Sequence, residues 1–382
     1  MGHQTAGNNA LVTHGGVNSN VASPANSTTA DRRSLYLKLF SGELFKGFQR
    51  NTIARDLVTR RSLKNGKSLQ FIFTGRTTAE YHTPGKSILG NDDNAPPVAE
   101  KTITCDDLLI SSAFVYELDE TLAHYDLRGE ISRKIGYALA ENYDRKIFRK
   151  ITQAARKAGV VAKTNYKEPG GTQIRVGDGS AKTAGLDATS LVSAFYDAAA
   201  ALDEKGVSSD GRVGVLSPRQ YYELIQKVGD SGLVNRDVQG QSLQSGQGII
   251  EIAGIKIYKS MNVPHFGQYG VNYSETSVTD PGNKGDFTEA SMANENALTV
   301  NDYGEGSKFA NSCGLIFQKE AAGVVEAIGP QVQVTSGDVS VIYQGDVILG
   351  RLAMGVDTLN PAAAVELYAG ATDATGAALT DW

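Results

Sequence analysis

Two cysteines in 382 residues, Cys105 and Cys313, rule out a disulfide framework. They stand far apart, each in an apolar run, and read as buried thiols made in a reducing compartment. No run of 18 apolar residues occurs, so no membrane span is expected. The first twenty residues have neither a basic n-region nor an apolar core and do not read as a signal peptide. Gly2 lacks the Ser or Thr that N-myristoylation wants four residues on; Ala6 stands there. Proline is scarce at ten residues, whereas glycine, at 42, exceeds the usual share of about 7%. That balance favours many turns and close backbone approaches. The net charge of −5 excludes a basic protein that coats nucleic acid along its whole length.

The usual traces of catalysis are missing too. Five histidines (His3, His14, His82, His124 and His265) show no spacing that brings two to one metal, and the cysteines do not help. Asp92, Asp93 and Asn94 lack the alternation and the Gly of a calcium loop. Glu117, Asp119 and Glu120 could hold a cation at the base of the hairpin, but nothing in their spacing requires it. No G-x-S-x-G elbow and no Cys–His pairing is visible. The nearest approach to a phosphate loop is GDGSAKT at 177–183. There Ala181, not Gly, precedes Lys182, and the glycines are too close together for backbone amides to wrap a phosphate. No catalytic residue, cofactor or metal is expected.

What is present is organised around residues 126–159. Leu127, Ile131, Ile135, Ala138, Leu139, Tyr143, Ile147, Ile151, Ala154, Ala155 and Ala158 recur mostly every three or four residues, one face of a helix. Asp126 reads as the N-cap and Gly159 as a left-handed stop. At 1.5 Å per residue such a helix runs about 48 Å. Its polar face carries nine Lys/Arg against four acids over 126–158, a net +5 inside a chain of −5. Such a run is commonly a solvated face, and otherwise a surface lying against a polyanion.

Residues 1–30 are small and polar without a period and read as a mobile arm. Leu37, Phe40, Leu44 and Phe48 then fall at helical spacing and need a partner surface. Alternation marks residues 67–75 as one arm of a hairpin, with Leu69, Phe71 and Phe73 on one face, and residues 101–118 as the return arm. A Pro/Gly/Asn/Asp-rich tip joins them. Arms of about 15 residues would reach roughly 50 Å, and a two-stranded ribbon of that length is marginal alone in water. It must lie on something, and another copy of the chain is the natural support. A Gly-rich link at 163–185 leads to a second helix over 189–205. Beyond a strand at 212–216, Ser217-Pro218-Arg219-Gln220 spells a capping box with Pro at the first helical position. Residues 249–259 read as a strand pair or one kinked strand with a bulge at Gly254. A polar, weakly patterned insertion fills 270–311, and further strands are expected at 313–319, 324–328, 332–334, 339–343 and 347–359.

Six segments in this order resemble the major capsid proteins of tailed bacteriophages, the Hong Kong 97 phage type, and more closely those of short-tailed coliphages and cyanophages. They are SLYLKLFSGELFKGFQR (34–50), GKSLQFIFTGRTTAEYHTPG (66–85), the long helix, RVGVLSPRQYYEL (212–224), GIKIYKSMNVP (254–264) and YQGDVILGRLAMGVDTLNPAAAVEL (343–367). The resemblance covers most of 31–370. It implies an α+β fold with an N-terminal arm (1–60), an extended E-loop hairpin (61–120) and a spine helix opening the peripheral domain (121–185). An axial domain (186–322) containing the insertion and the rest of the peripheral domain with the tail (323–382) complete it. The implied function is an icosahedral head shell enclosing double-stranded DNA. The implied partners are other copies in hexamers and pentamers, scaffold and portal proteins, and DNA bound without base reading, in a virion made in the host cytoplasm. Contacts between copies are expected at Phe40, Phe48, Phe71, Phe73, Tyr81 and Ile88, and a DNA-facing helix surface at Arg145, Lys146, Arg149 and Lys150. The Lys–Asn crosslink site of some relatives has no identifiable counterpart. A non-viral cage of the encapsulin sort shares this fold and is the alternative; a soluble nucleotide-dependent enzyme using Lys182 is a remote one.

Overall fold

A computed structural model describes residues 52–75, 81–85, 98–118, 127–160, 162–163, 166–177, 185, 187–228, 250–264, 312–334 and 344–369. The expected arm with Phe40 and Phe48, the hairpin tip from residue 86 on with Ile88, Asp126, the 178–184 loop, the 339–343 strand, the 270–311 insertion and the tail lie outside these residues.

In chain order the elements begin with helix α1 (Ala54–Leu57), β1 (Thr59–Ser62), β2 (Ser68–Thr74), β3 (Val98–Thr104), β4 (Leu109–Tyr116) and helix α2 (Leu127–Ala155). Next come β5 (Ala162–Lys163), β6 (Tyr166–Lys167), β7 (Thr172–Arg175), α3 (Ala188–Glu204), β8 (Arg212–Leu216) and α4 (Pro218–Val228). β9 (Ile250–Ile252), β10 (Ile255–Lys259), β11 (Ser312–Gln318), β12 (Ala322–Val334), β13 (Gly345–Thr358) and β14 (Ala364–Tyr368) complete the order. The chain divides into two compact units, one of residues 1–51, 107–142 and 328–354, the other of residues 52–106, 143–327 and 355–382.

In the first unit, β4 and β13 pair antiparallel from Leu109↔Leu352 to Tyr116↔Gly345. Ile131, Ile135 and Leu139, spaced at four residues along α2, pack with Val115 and Ile348 on one side of that pair. Arg128 on the helix meets Asp346 at 2.7 Å. This corrects the expected return arm of the hairpin. Residues 101–118 are two strands, and the second leaves the hairpin to join β13, where a helix covers one face. The paired hairpin among the described residues is seven residues per arm, Ser68↔Thr104 to Thr74↔Val98, about 23 Å rather than 50 Å. A naked two-stranded ribbon gains little per added pair, so the chain uses its second apolar stretch where it can be covered.

The second unit contains a mixed six-stranded sheet in the order β7-β14-β11-β8-β10-β9. Leu191, Phe195 and Leu202 of α3 and Leu224 of α4 share one buried cluster with Leu216, Ile257, Ile316, Val365 and Leu367 of the strands. α3 begins where Asp187 accepts the Ser190 N–H at 3.1 Å. At α4 the Ser217 N–H donates to Gln220 Oε1 (3.1 Å) while the Gln220 Nε2 donates to the Gly185 carbonyl (2.7 Å). The capping box thus also ties the helix start to the preceding link. Ala253 and Gly254 both have positive φ, 53° and 73°, and close a two-residue β9–β10 turn, so Gly254 sits in a turn and not a bulge.

Helix α2 covers nearly all of the expected span, but its end differs from the expectation. Gly159 is not among the residues of positive φ. Instead the Gly171 N–H donates to the Lys157 carbonyl at 2.8 Å, and a Cβ on Gly171 would overlap the Ala155 backbone. The glycines are there because two backbones touch, and that contact caps the helix.

Candidate assembly interface

The hairpin β2–β3 has two unlike faces, because residues in register alternate sides. One carries Leu69, Phe71 and Phe73 opposite Ile103, Lys101 and Ala99. Ile103 is buried, and Phe71 and Phe73 are half-buried, with the Arg61 guanidinium 5.2 Å from the Phe71 ring centroid. Lys101, on the same face, reaches Asp357 at 3.0 Å. Burial pushes the Asp357 carboxyl up, but the Lys101 and Thr358 hydrogen bonds and the nearby Lys157 outweigh it and hold it below its usual value. The Phe-bearing face is therefore turned toward its own chain. The other face carries Ile72 and Val98, 76% and 64% exposed, diagonal neighbours flanked by Thr74 and Glu100. Tyr81 is fully exposed. Alternation marks two faces without saying which is open, and the face left open is the aliphatic one rather than the aromatic one.

The basic helix face is also placed differently from the expectation. Arg145, Lys146 and Arg149 are 6%, 4% and 1% exposed, and only Lys150 is half-exposed. Every residue from 143 to 149 is buried, so this part of α2 has no solvent face. A DNA-facing role for Arg145, Lys146 and Arg149 is thus excluded in this chain by their own burial. Phe148, beside Ile147, widens the apolar arc and is the sequence signal of this burial.

Buried cations need carboxylates, and distant segments supply them. Lys146 meets Asp106 at 3.7 Å; burial pulls the Lys146 pKa down and Asp106 pulls it back. Arg145, Arg149 and Lys150 are likewise held by interactions within the chain. Arg156 clamps Glu366 through two 2.6 Å bonds, and Gln173 donates to the same carboxylate at 2.9 Å. Tyr143 donates to Glu326 (2.8 Å), which also accepts from Arg55 at 3.2 and 3.1 Å. Burial and that bond raise the Tyr143 pKa, and Glu326 raises that of Arg55.

The wholly buried Asp144 accepts the N–H groups of Ile53 (2.9 Å) and Ala54 (3.3 Å), capping α1 from across the fold. Burial pushes its pKa from 3.8 to about 7 against these bonds and one from Asn262. A carboxyl whose folded pKa is raised contributes stability below its unfolded pKa and loses it as pH rises through the folded value. The unassembled chain should therefore lose stability between pH 4 and 7 through this group. In Asp144→Asn that part of the slope should vanish, as urea midpoints across the window would read; an unchanged slope would assign it to other groups.

Among the described residues no group of His, Cys, Asp and Glu side chains could hold a metal ion, and no helix is long and apolar enough to cross a membrane.

Residues 71–368 match the family described as Gp10A-like: Major capsid protein. The chain is 27% identical over 346 residues to the major capsid protein of Escherichia phage T7, covering 87% of this chain and 91% of that one. Its structure is similar to that in the capsid of the cyanophage P-SCSP1u, with a TM-score of 0.68 and 31% identity over 93% of this chain and 98% of the other. A subunit of the bacteriophage PhiM1 mature capsid has the same fold at 16% identity and a TM-score of 0.61, over 86% and 91% of the two chains. The fold is therefore that of tailed-phage capsid proteins, the Hong Kong 97 type.

Proposed function

Because the chain belongs to the Gp10A-like family of major capsid proteins, and so is a structural protein that forms the shell of a phage virion, we propose that its copies close into an icosahedral head around double-stranded DNA. The observation that carries the mode of assembly is the open apolar face of β2–β3. Ile72 and Val98 lie in water in the single chain, and a second copy is what covers them. Each large apolar side chain so buried contributes roughly 1.5–3 kcal/mol, and repetition over a shell turns modest contacts into a stable particle. Tyr81 extends this contact, and the surface that Phe71 and Phe73 leave open on the opposite face of the hairpin adds a second; Phe40, Phe48 and Ile88 contribute from the arm and the tip. Residues 1–60 serve as the arm, 61–120 carry the hairpin, and 121–185 carry the spine helix. Residues 186–322 form the axial domain, and 323–382 complete the peripheral domain. Hexamers and pentamers form in the host cytoplasm with the help of scaffold and portal proteins, and the shell meets its DNA through phosphates without reading bases.

Electron microscopy of the purified chain should show closed particles of uniform diameter. In particles from infected cells, nuclease-protected double-stranded DNA is expected; particles holding a docked protein cargo and no nucleic acid would instead identify a cage of the encapsulin sort.

A further inference from the structure

With Arg145, Lys146 and Arg149 buried, exposed positive charge has to be sought elsewhere, and it gathers just before the hairpin. From residue 57 to residue 74 the sequence has four cations, Arg60, Arg61, Lys64 and Lys67, and no acid, in a chain of net charge −5. All four are exposed. They lie on β1, an edge strand parallel to β12, and on the loop that follows it. That loop is fixed at both ends. The Leu63 N–H donates to the Glu326 carbonyl (2.8 Å), and the Lys67 carbonyl accepts the Cys105 N–H (2.8 Å). Gly66, at φ +93°, turns the chain between Lys64 and Lys67. Arg60 has one long ion pair to Glu326 (3.7 Å), whose carboxylate already serves Arg55 and Tyr143, and Arg61 lies over Phe71. Among the described residues Lys64 and Lys67 have no ion pair. Exposed Ser62, Asn65, Ser68 and Gln70 interleave neutral donors with these charges.

We propose that the exposed basic strand and loop at residues 60–67 is the surface by which this protein holds the phosphates of double-stranded DNA. Four cations on a short tethered segment suit a polyanion that carries a charge about every 1.7 Å along its axis. Nothing in the segment favours base reading: it is a loop and an edge strand, with no helix to enter a groove. The proposal rests on the reading that the shell encloses DNA, and it assigns that contact to named residues.

The test is binding of the full-length chain to a random-sequence 30-base-pair duplex, followed by fluorescence anisotropy over a range of NaCl concentrations. Each phosphate contact contributes a slope of about −0.9 in log K against log salt. The Lys64→Gln/Lys67→Gln double variant breaks no ion pair seen here, and its slope should be shallower than that of the unmodified chain by about 2. Adding Arg60→Gln and Arg61→Gln should bring the difference to roughly 3–4, with at least a tenfold loss of affinity at 0.1 M salt. Lys256→Gln, an exposed cation on β10, should leave the slope unchanged. If the unmodified chain binds and both variants keep its slope, the assignment to residues 60–67 is wrong while the DNA reading stands. If the unmodified chain shows no binding at 50 mM NaCl, both fall. If the variants bind DNA normally but no longer form particles, the segment is a contact between copies, and the proposal is overturned.

Discussion

Glu366→Ala should destabilise the unassembled chain by about 3 kcal/mol, the low end of the 3–5 kcal/mol typical of breaking a buried ion pair. The carboxylate is fully buried on β14 and accepts both arms of the Arg156 fork as well as the Gln173 amide. Its removal takes both of these bonds from a guanidinium that keeps other interactions within the chain and has about a sixth of its side chain in water (17%), which is why the low end is expected. The cost is that of a largely desolvated cation losing its carboxylate more than of the lost attraction. Arg156→Met combined with Glu366→Leu should therefore recover most of the loss, since apolar replacements leave no charge to desolvate. Urea midpoints at concentrations too low for assembly would measure both. A single-variant loss below 1 kcal/mol would show that water or another group already satisfies Arg156.

Ile72→Lys with Val98→Lys should act in the opposite sense, leaving the subunit intact and stopping the shell. Both side chains are mostly in water in the single chain, so their replacement should change its stability by no more than about 0.5 kcal/mol. Between copies the same positions are expected to contribute roughly 3–6 kcal/mol together, from 1.5–3 kcal/mol each. At 1.4 kcal/mol per factor of ten, the concentration needed for assembly should rise at least a hundredfold. Sedimentation velocity would separate particles from free subunits. Shells forming at the original concentration would mean that this face does not take part.

Much of the fold can be read from local sequence, where one residue type has one physical use. The three- and four-residue spacing from Leu127 to Ala155 marks the long helix, and Ser217 to Gln220 marks the start of α4. Partner choice is harder, because it depends on what lies across the fold. Nothing local says that 109–116 abandons the hairpin for β13, since both pairings satisfy the same alternation. β14 is not legible in the sequence because Ala364, Val365, Glu366, Leu367 and Tyr368 form a short run buried at every position, without the two-residue period of a half-exposed strand. The charges on α2 misled for a related reason. A Lys or Arg on a helix normally marks its wet side, whereas here the distant Asp106 and Glu366 pair with the buried Lys146 and the half-buried Arg156. In the hairpin, size does not track exposure: Phe71 and Phe73 are half-buried, while the residue left in water is the Ile72 between them.

Assembly of the shell depends on the open side of the hairpin being where copies meet. A cryo-electron microscopy reconstruction of the assembled particle, at a resolution that shows side chains, tests it directly. Ile72 and Val98 should each be covered by residues of another subunit at every quasi-equivalent position. Finding both side chains in solvent throughout the shell would contradict the account.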